Sequence, residues 1–497
     1  MSSTASMPNE PQQVSMKFVT LVSIVAALGG LLFGFDTAVV SGAIGFMQSR
    51  FDLNEVEVGW AVSSLIIGCI VGAAGSGVMS DRFGRKKVLI FAAILFIIGS
   101  LGSALPDTFT GYIIARMIGG LGIGITSTLC PLYNAEIAPA AYRGRLVALN
   151  QFATVTGIFL VYFVNSGIAG YGDDAWDIAM GWRWMFGIGV LPGLLFLILL
   201  FFVPESPRWL IKQDRPLEAL PILLKIHGDD LARQEVLDIK ASFKEESGSL
   251  RQLFQPGLRV ALIVGVVLAA LQQVTGINAV MYYAPEIFKA TGAGTNASLV
   301  QTILVGLINF LFTILALWLI DKVGRKALLL VGSGLMTLSL AVIGAAFHTG
   351  HTSGPLVLIF ILLYVASFAV SLGPVVWVIL SEIFPNRIRG KATAIASMAL
   401  WMADYIVSQS FPPMLNTAGP AMTFWIFGLM SLFTCFFTWR VVPETKGRSL
   451  EEIETLWTDG SATSAASSAS SASSASTAAK PQGDYPDPES GAWVNGK

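Results

Sequence analysis

Long apolar stretches, separated by short polar or Gly/Pro segments, recur along most of the chain. A helix needs about 20 mainly apolar residues to cross a bilayer, and twelve stretches suit that length. They occupy residues 17–48, 57–79, 86–105, 109–133, 145–170, 182–203, 257–288, 298–320, 327–347, 355–384, 392–412 and 421–442. The pattern predicts an all-α membrane protein with twelve transmembrane helices.

One long polar segment, residues 204–256, separates the sixth span from the seventh. Its charged residues alternate with leucine and isoleucine, which is typical of short amphipathic helices at a membrane surface. We expect a capping box at Ser449 and Glu452 to open a short helix, and the Ser/Ala-rich end to be disordered. The predicted organisation is a disordered N-terminus (1–16), a six-helix half (17–203), a cytosolic helical linker (204–256), a second six-helix half (257–442), a cytosolic motif with a short helix (443–459) and a disordered tail (460–497).

Composition supports a membrane protein. Hydrophobic residues make up 54% of the 497 residues and charged residues 13%, against about 25% charged residues in soluble proteins. The net charge of −1 gives no reason to expect a nucleic-acid partner. The three cysteines lie in apolar runs and the three histidines lie far apart, so neither a metal nor another cofactor is predicted. The first apolar run is too long for a cleaved signal.

Basic residues in short loops predict the orientation, because cytosolic loops are enriched in Lys and Arg. The loops after spans 2, 4, 8 and 10 contain Arg82, Arg85, Lys86, Lys87, Arg143, Arg145, Lys322, Arg325, Lys326, Arg387, Arg389 and Lys391. The opposite side has Arg50, Arg183 and Lys289, together with an acidic run at 173–177. We therefore expect both termini in the cytosol.

Three motifs occur twice, in the same order and at nearly one separation. The pairs are DRFGRKK at Asp81 with DKVGRKA at Asp321, PESPR at Pro204 with PETKG at Pro443, and EIAP at Glu136 with EIFP at Glu382. The repetition indicates two homologous six-helix halves in parallel topology. Such halves place a substrate site between them at mid-membrane and alternate access by rocking, as a carrier requires and a channel does not.

The repeated motifs combine basic residues, acids and a glycine suited to a tight turn. We expect their ion pairs to tie the halves together when the cytosolic side is closed and to break when it opens. The alternative is that the basic residues only mark topology. The candidate gating residues are Arg82, Arg85, Glu136, Arg143, Glu205, Arg325, Glu382, Arg389 and Glu444.

An acid, Asp36, lies within the first apolar run (LGGLLFGFDTAVVSG). A charge at mid-bilayer costs at least about 2.5–3.5 kcal/mol on insertion scales and usually has a function. Arg116, inside the fourth span, is the natural counter-charge. The pair suggests a proton-coupling site, with a purely structural acid as the alternative.

Taken together, these motifs resemble those of the sugar porter family of the major facilitator superfamily, in particular the bacterial D-xylose/proton symporters. The matching segments include GLLFGFDTAVVSG, DRFGRKK, RMIGGLGIG, PESPRWL, QQVTGINAVMYYAP, DKVGRK, GPVVWVILSEIFPNRIRG and PETKG, and they run from about Phe18 to Trp457. The resemblance implies the major facilitator fold. Facilitators of this family tend to lack an acid at the position of Asp36.

The resemblance also implies which residues contact the sugar. They are Gln151, Gln272, Gln273, Asn278, Asn309, Trp377, Phe33, Tyr282 and Trp401. The chemistry is sensible, because a primary amide offers two donors and an acceptor to sugar hydroxyls without adding charge. Amides also join helices in membranes, and most membrane aromatics serve packing or interfacial roles.

Four positions depart from the symporter pattern. Ile158 and Leu400 replace amides, so a sugar other than xylose is equally admissible. Gly189 replaces an acid near the proton site. Asp404 replaces an asparagine and adds a second intramembrane carboxyl group, to which the sequence assigns no role.

We therefore expect proton-coupled symport of a monosaccharide, a pentose or hexose such as xylose or glucose, by a monomer in the plasma (inner) membrane. The alternatives are an uncoupled uniporter, a polyol or inositol symporter and a non-transporting sugar sensor. The expected partners are the sugar, the proton and the lipid bilayer. An enzyme is not expected, because the glycine-rich run at 119–124 suits a close-packed helix face in lipid instead of a phosphate loop.

Overall fold

The computed structural model describes residues 16–139, 142–245, 253–255, 258–352, 354–384 and 388–446, which are almost entirely helical. The first half contains α1 (Met16–Phe51), α2 (Glu55–Phe83), α3 (Arg85–Ala104), α4 (Phe109–Ile137), α5 (Arg143–Ala169), α6 (Asp174–Trp176), a π-helix (Asp177–Gly181), α7 (Trp182–Gly187) and α8 (Val190–Leu200). The linker contains α9 (Pro207–Lys212), α10 (Pro216–His227) and α11 (Asp229–Glu245). The second half contains α12 (Leu258–Val274), α13 (Ile277–Ala290), α14 (Thr295–Val323), α15 (Arg325–Thr349), α16 (Leu356–Val370), α17 (Leu372–Glu382), α18 (Arg389–Thr417) and α19 (Gly419–Arg440).

All twelve predicted spans coincide with helical segments. Eleven of them, within the described residues, are long and apolar enough to cross a membrane. The remaining predicted span, residues 392–412, lies in α18. This helix is 29 residues long but carries Asp404, Ser408 and Gln409 in its second half. Because polar side chains inside a bilayer are usually functional, the least apolar span is the one to inspect for chemistry.

Three spans are interrupted. The sixth passes through the π-helix near its start, and the seventh breaks near its middle at Gly276, whose φ of +91° is accessible to glycine. The sequence predicts a break in the tenth at Gly373–Pro374, and the structure places it at Ser371. Proline lacks an N–H and disturbs the turn that precedes it, so the break falls before Pro374 instead of at it.

The sixth span also begins earlier than the sequence predicts. The apolar pattern starts at 182, whereas helical structure begins at Asp174. The side chain of Asp173 accepts a hydrogen bond from the Trp176 N–H (2.8 Å), and Asp177 is buried. The acidic run, interpreted as an external loop, is therefore partly a helix start, because aspartate is a good N-cap.

Glycines allow α2 and α4 to pack closely. Gly72 of α2 faces the Leu121 carbonyl, and Gly120 of α4 faces the Leu65 carbonyl, with no space for a side chain at either position. The glycine-rich run at 119–124 is therefore a helix–helix contact surface, as the sequence predicts.

The linker helices enclose a small apolar core of their own, which includes Trp209, Leu223 and Ile239. They are fastened to α2 at Asp81, whose carbonyl accepts a hydrogen bond from Trp209 Nε1 (2.9 Å) and whose carboxylate pairs with Lys212 (2.9 Å). The predicted amphipathic helices are thus present up to Glu245. The predicted N-terminus (1–15), the linker end (246–252 and 256–257), the capping box and the tail lie outside the described residues.

Hydrogen bonds between the two halves lie at one end of the bundle. The basic end is defined here by the α2–α3 and α14–α15 turns, and the far end is opposite to it. Between described residues, the hydrogen bonds that join the halves link Gln409 to Ser63 (2.7 Å) and to the Val56 carbonyl (3.0 Å), and Tyr162 to the Met281 carbonyl (2.8 Å). These contacts are on the far-end side of α2, α5 and α18.

Candidate functional site

A buried ion pair joins α1 to α4. Arg116 Nη1 lies 2.8 Å from Asp36 Oδ1, and Arg116 Nη2 donates to the Asp36 backbone carbonyl (3.2 Å). The two side chains are 2% and 7% exposed. Asp36 Oδ2 is buried and has no hydrogen-bond partner. The predicted pair is therefore present, and it leaves one carboxylate oxygen of Asp36 without a partner.

The surroundings of this pair are apolar. The Phe186 ring centroid lies 5.2 Å from the Arg116 guanidinium carbon. A Cβ at Gly119 would lie 3.9 Å from Asp36 Oδ2, so only small residues flank the free oxygen there. Gly189, where the symporter pattern has an acid, packs against Ser100 and Phe35, next to Asp36 in sequence. At this position the chain supplies no second carboxyl group.

Three of the predicted sugar amides form one hydrogen-bonded row. Gln272 Nε2 donates to the carbonyls of Leu372 (2.7 Å) and Gly373 (3.1 Å) in the broken tenth span. Gln273 Nε2 donates to Gln272 Oε1 (3.3 Å), and Asn278 Nδ2 donates to Gln273 Oε1 (2.9 Å). The row spans the break of the seventh helix at Gly276.

Asp404 of α18 lies at the Asn278 end of this row and is 1% exposed. Ser408 Oγ donates to Asp404 Oδ1 (3.1 Å), and the Tyr282 hydroxyl donates to Oδ2 (3.4 Å). Sequence reasoning assigned no role to this residue, although its position in the least apolar span is a usable signal.

The other predicted sugar contacts are spread around the same level. Phe33 of α1 and Trp401 of α18 meet edge to face across the two halves, with ring centroids 5.6 Å apart. Trp377 is 39% exposed, Asn309 is buried on α14 and Gln151 is half-buried on α5. Within the described residues, no hydrogen bond joins these three to the amide row. Their roles stay predictions.

At the basic end, a cluster of charged residues lies within the first half. Arg85 Nη2 pairs with Glu136 (2.8 Å), and Glu205 accepts the Arg85 backbone N–H (2.8 Å) at the start of α3. Gly84 precedes them with φ +97°, the tight turn that the sequence predicts. Burial raises the pKa of Glu205 above its usual range, although backbone N–H groups oppose the shift.

The second half repeats this arrangement. Arg325 Nη2 pairs with Glu382 (2.9 Å), and Glu444 accepts the backbone N–H groups of Arg325 and Lys326 (3.0 Å each) beside Gly324 (φ +101°). Burial would raise the pKa of Glu444, but its bonds to backbone N–H groups outweigh burial and lower it. The predicted partners are correct. In this conformation each cluster lies inside one half, and the expectation that these pairs tie the halves together when the cytosolic side is closed stays a prediction.

The remaining predicted gating residues have other surroundings. Arg82 lies over the Phe83 ring (5.3 Å to the centroid). Arg143 lines a cavity of about 360 Å³ with Arg85 and Glu136. Arg389 Nε donates to the Phe384 carbonyl (3.1 Å). Within the part of the chain that the structure describes, no group of three His, Cys, Asp or Glu side chains could hold a metal ion.

Two helical halves, a buried Asp36–Arg116 ion pair and a buried row of amides are features of a membrane transporter of the alternating-access class. The chain belongs to the sugar transporter family, whose model, described as "Sugar (and other) transporter", matches residues 22–457.

Similar proteins agree with this assignment. The arabinose-proton symporter of Bacillus subtilis is 48% identical over 453 residues, covering 90% of this chain and 98% of the relative. The D-xylose-proton symporter of Escherichia coli is 45% identical over 477 residues, covering 90% and 97%. The inward-open structure of the xylose transporter XylE from E. coli superposes with a TM-score of 0.79 at 45% identity, covering 88% of this chain and all of that one.

Proposed function

We propose that this chain carries a monosaccharide into the cell together with a proton, by alternating access between its two halves. The observation that carries the proposal is the Asp36–Arg116 pair, in which one buried carboxylate oxygen, Oδ2, is unpartnered. A proton on Oδ2 neutralises Asp36 and weakens its attraction to Arg116. The strength of the contact between α1 and α4 then depends on the protonation of Asp36, as proton coupling requires.

A simple energy comparison shows what one proton can do. One charge that moves through about 100 mV supplies about 2.3 kcal/mol. At about 1.4 kcal/mol per tenfold ratio, this supports roughly 50-fold accumulation of sugar before any pH gradient is counted.

The sugar class follows from the amides and the relatives. The row of Gln272, Gln273 and Asn278 offers neutral donors and acceptors to hydroxyl groups. Relatives are named for arabinose, D-xylose and glucose. We assign a pentose or hexose as the substrate, with a monomer in the plasma membrane as the working unit. We also propose that the basic loops face the cytosol, which puts both termini in the cytosol.

The test is Asp36→Asn in proteoliposomes. Because asparagine cannot bind and release a proton, we expect loss of uphill uptake of D-xylose, L-arabinose or D-glucose, while exchange of labelled sugar across the membrane persists. The matched control is Asp107→Asn, the same chemical change in an exposed carboxylate that pairs with Arg183 (2.7 Å); we expect wild-type accumulation.

Accumulation by the Asp36→Asn variant would contradict the coupling role. Uptake by the wild type that never exceeds equilibrium and ignores a protonophore would indicate a uniporter. Sugar binding without any transport would indicate a sensor, and transport of inositol or another polyol alone would change the substrate class.

A further inference from the structure

Gln409 of α18 is seated on one face of α2, across the boundary between the two halves. Its Oε1 accepts a hydrogen bond from the Ser63 hydroxyl (2.7 Å), and its Nε2 donates to the Val56 carbonyl (3.0 Å). Val56, Gly59 and Ser63 are spaced i, i+3 and i+7, so they lie on the same face of the helix. This face of α2 therefore offers one donor and one acceptor, which match the two ends of a single amide.

Gly59 lies between these two partners and allows α18 to approach. A Cβ at Gly59 would lie 2.5 Å from the Gln409 backbone oxygen and 2.9 Å from Gln409 Nε2. Any side chain at this position would push Gln409 away from α2. Glycine is an unfavourable residue inside a helix, and this contact accounts for its presence here.

The helices α1 and α13 also meet at the far end, but their contact is of another kind. Glu286 and Lys289 of α13 pair with each other (2.9 Å), and the pair packs on α1 at Gly45, which has no space for a side chain. Within the described residues, no hydrogen bond joins this ion pair to α1. Gln409 differs because both of its side-chain bonds cross from one half to the other.

The contact of Gln409 with α2 lies where water can replace it. Gln409 is half-buried and Val56 is 60% exposed. A cavity of about 500 Å³ opens beside them, between Glu55 and Glu57 of α2 and Asn416 of α18. Groups that separate at such an edge can bond water, so opening costs only the small net free energy of each hydrogen bond and not the full desolvation penalty. The contact is therefore reversible, as a carrier requires.

We propose that Gln409 is a positioning residue that acts as a latch: it holds the carrier closed at the far end, and both of its bonds to α2 break when the halves separate there. The proposal rests on the alternating access of the proposed function. When only one form of a protein can bind a ligand, the apparent affinity is reduced by the fraction of that form. Gln409 thus sets the fraction of molecules that can take up sugar from the far end.

The experiment measures the distance between two spin labels on far-end loops of the purified full-length chain. The labels are attached to Leu105→Cys in the first half and His351→Cys in the second, two exposed positions, after the native cysteines are replaced by alanine. Separation of the halves at the far end lengthens this distance. The relative sizes of the long and short populations give the ratio of open to closed molecules.

We expect Gln409→Leu, which removes both bonds, to raise this ratio about tenfold, and Ser63→Ala, which removes one, to raise it less. The double variant should match Gln409→Leu alone, because the two side chains share one bond. Gln48→Leu is the matched control, since the Gln48 amide bonds only the Leu53 carbonyl of its own half (3.4 Å) in the described structure, and it should leave the ratio unchanged. An unchanged ratio in Gln409→Leu, or an equal rise in Gln48→Leu, would overturn the proposal.

A second pair of variants tests the contact without altering the amide. Gly59→Ala places a methyl group against Gln409 and should also raise the ratio, whereas Gly77→Ala, on the same helix with nothing within 4 Å, should not. Equal ratios in these two variants, or a lower melting temperature of Gln409→Leu without a change in its ratio, would contradict the latch. The distances are measured without sugar or a proton gradient, so such results leave the proposed function standing. Accumulation by Asp36→Asn would contradict that function and not the latch.

Discussion

Buried charge in this bundle is stabilised by particular partners instead of by solvent. Arg116 reaches both the carboxylate and the backbone carbonyl of Asp36, so its charge is shared between two acceptors. Removing one member of a buried pair leaves an uncompensated charge, which is strongly destabilising, whereas removing both is far less so.

This difference gives a prediction for stability. Arg116→Gln should lower the free energy of unfolding by about 3–5 kcal/mol, and Asp36→Asn/Arg116→Gln should recover most of the loss. The readout is the apparent melting temperature in detergent. Asp107→Asn, at an exposed pair, should change stability by less than about 1 kcal/mol. A double variant as unstable as Arg116→Gln would show that the pair contributes no mutual compensation.

For single residues, the sequence predicts which side chains pair when few groups of opposite charge are present in the spans. An arginine in an apolar run needs an acid, so the sequence predicts that Arg116 pairs with an intramembrane acid such as Asp36, and the structure shows this pair. The contact of Asp404 with Tyr282 could not be predicted, because the two residues come together only through the packing of α13 on α18.

The packing of two helices depends on how closely their backbones approach each other. In α2, Gly72 faces the Leu121 carbonyl without space for a Cβ, whereas Gly77 has nothing within 4 Å. The same helix therefore offers a close-packed glycine and an open one.

We predict that Gly72→Ala destabilises the protein by about 1–3 kcal/mol through overpacking. Gly77→Ala should stay within about 0.5 kcal/mol of the wild type. Thermal unfolding in detergent measures both. Equal effects of the two variants would mean that the α2–α4 crossing tolerates a wider separation.

Element positions were largely predictable because a bilayer requires long apolar helices, and all twelve spans follow. The predicted helix bounds and breaks are wrong where a local interaction overrides the hydropathy pattern. Asp173 caps a helix within a run that reads as a loop, and the proline in the tenth span moves the break to Ser371. Such shifts depend on backbone hydrogen bonds that hydropathy does not report.

The molecule as a whole consists of two similar halves whose hydrogen bonds to each other lie towards the far end. Among the described residues, Gln409 and Tyr162 supply these hydrogen bonds, and the charged clusters of the basic end stay within their own halves. The duplication predicted two halves, but which end joins them is a property of the conformation and is absent from the repeats.

If the two halves rock against each other, contacts between them would break at the far end and form at the basic end. In the proposed mechanism, protonation of Asp36 in one half and sugar binding at the amide row in the other would be linked through the α1–α13 and α2–α18 surfaces. The proposed mechanism depends on this link between protonation of Asp36 and sugar binding.

The most direct test is to follow external pH while sugar enters sealed proteoliposomes that contain the wild-type chain. The account predicts that addition of D-xylose, L-arabinose or D-glucose alkalinises the weakly buffered outside medium, and that Asp36→Asn abolishes the signal while sugar exchange continues. Sugar entry by the wild type with no change in external pH would contradict proton coupling.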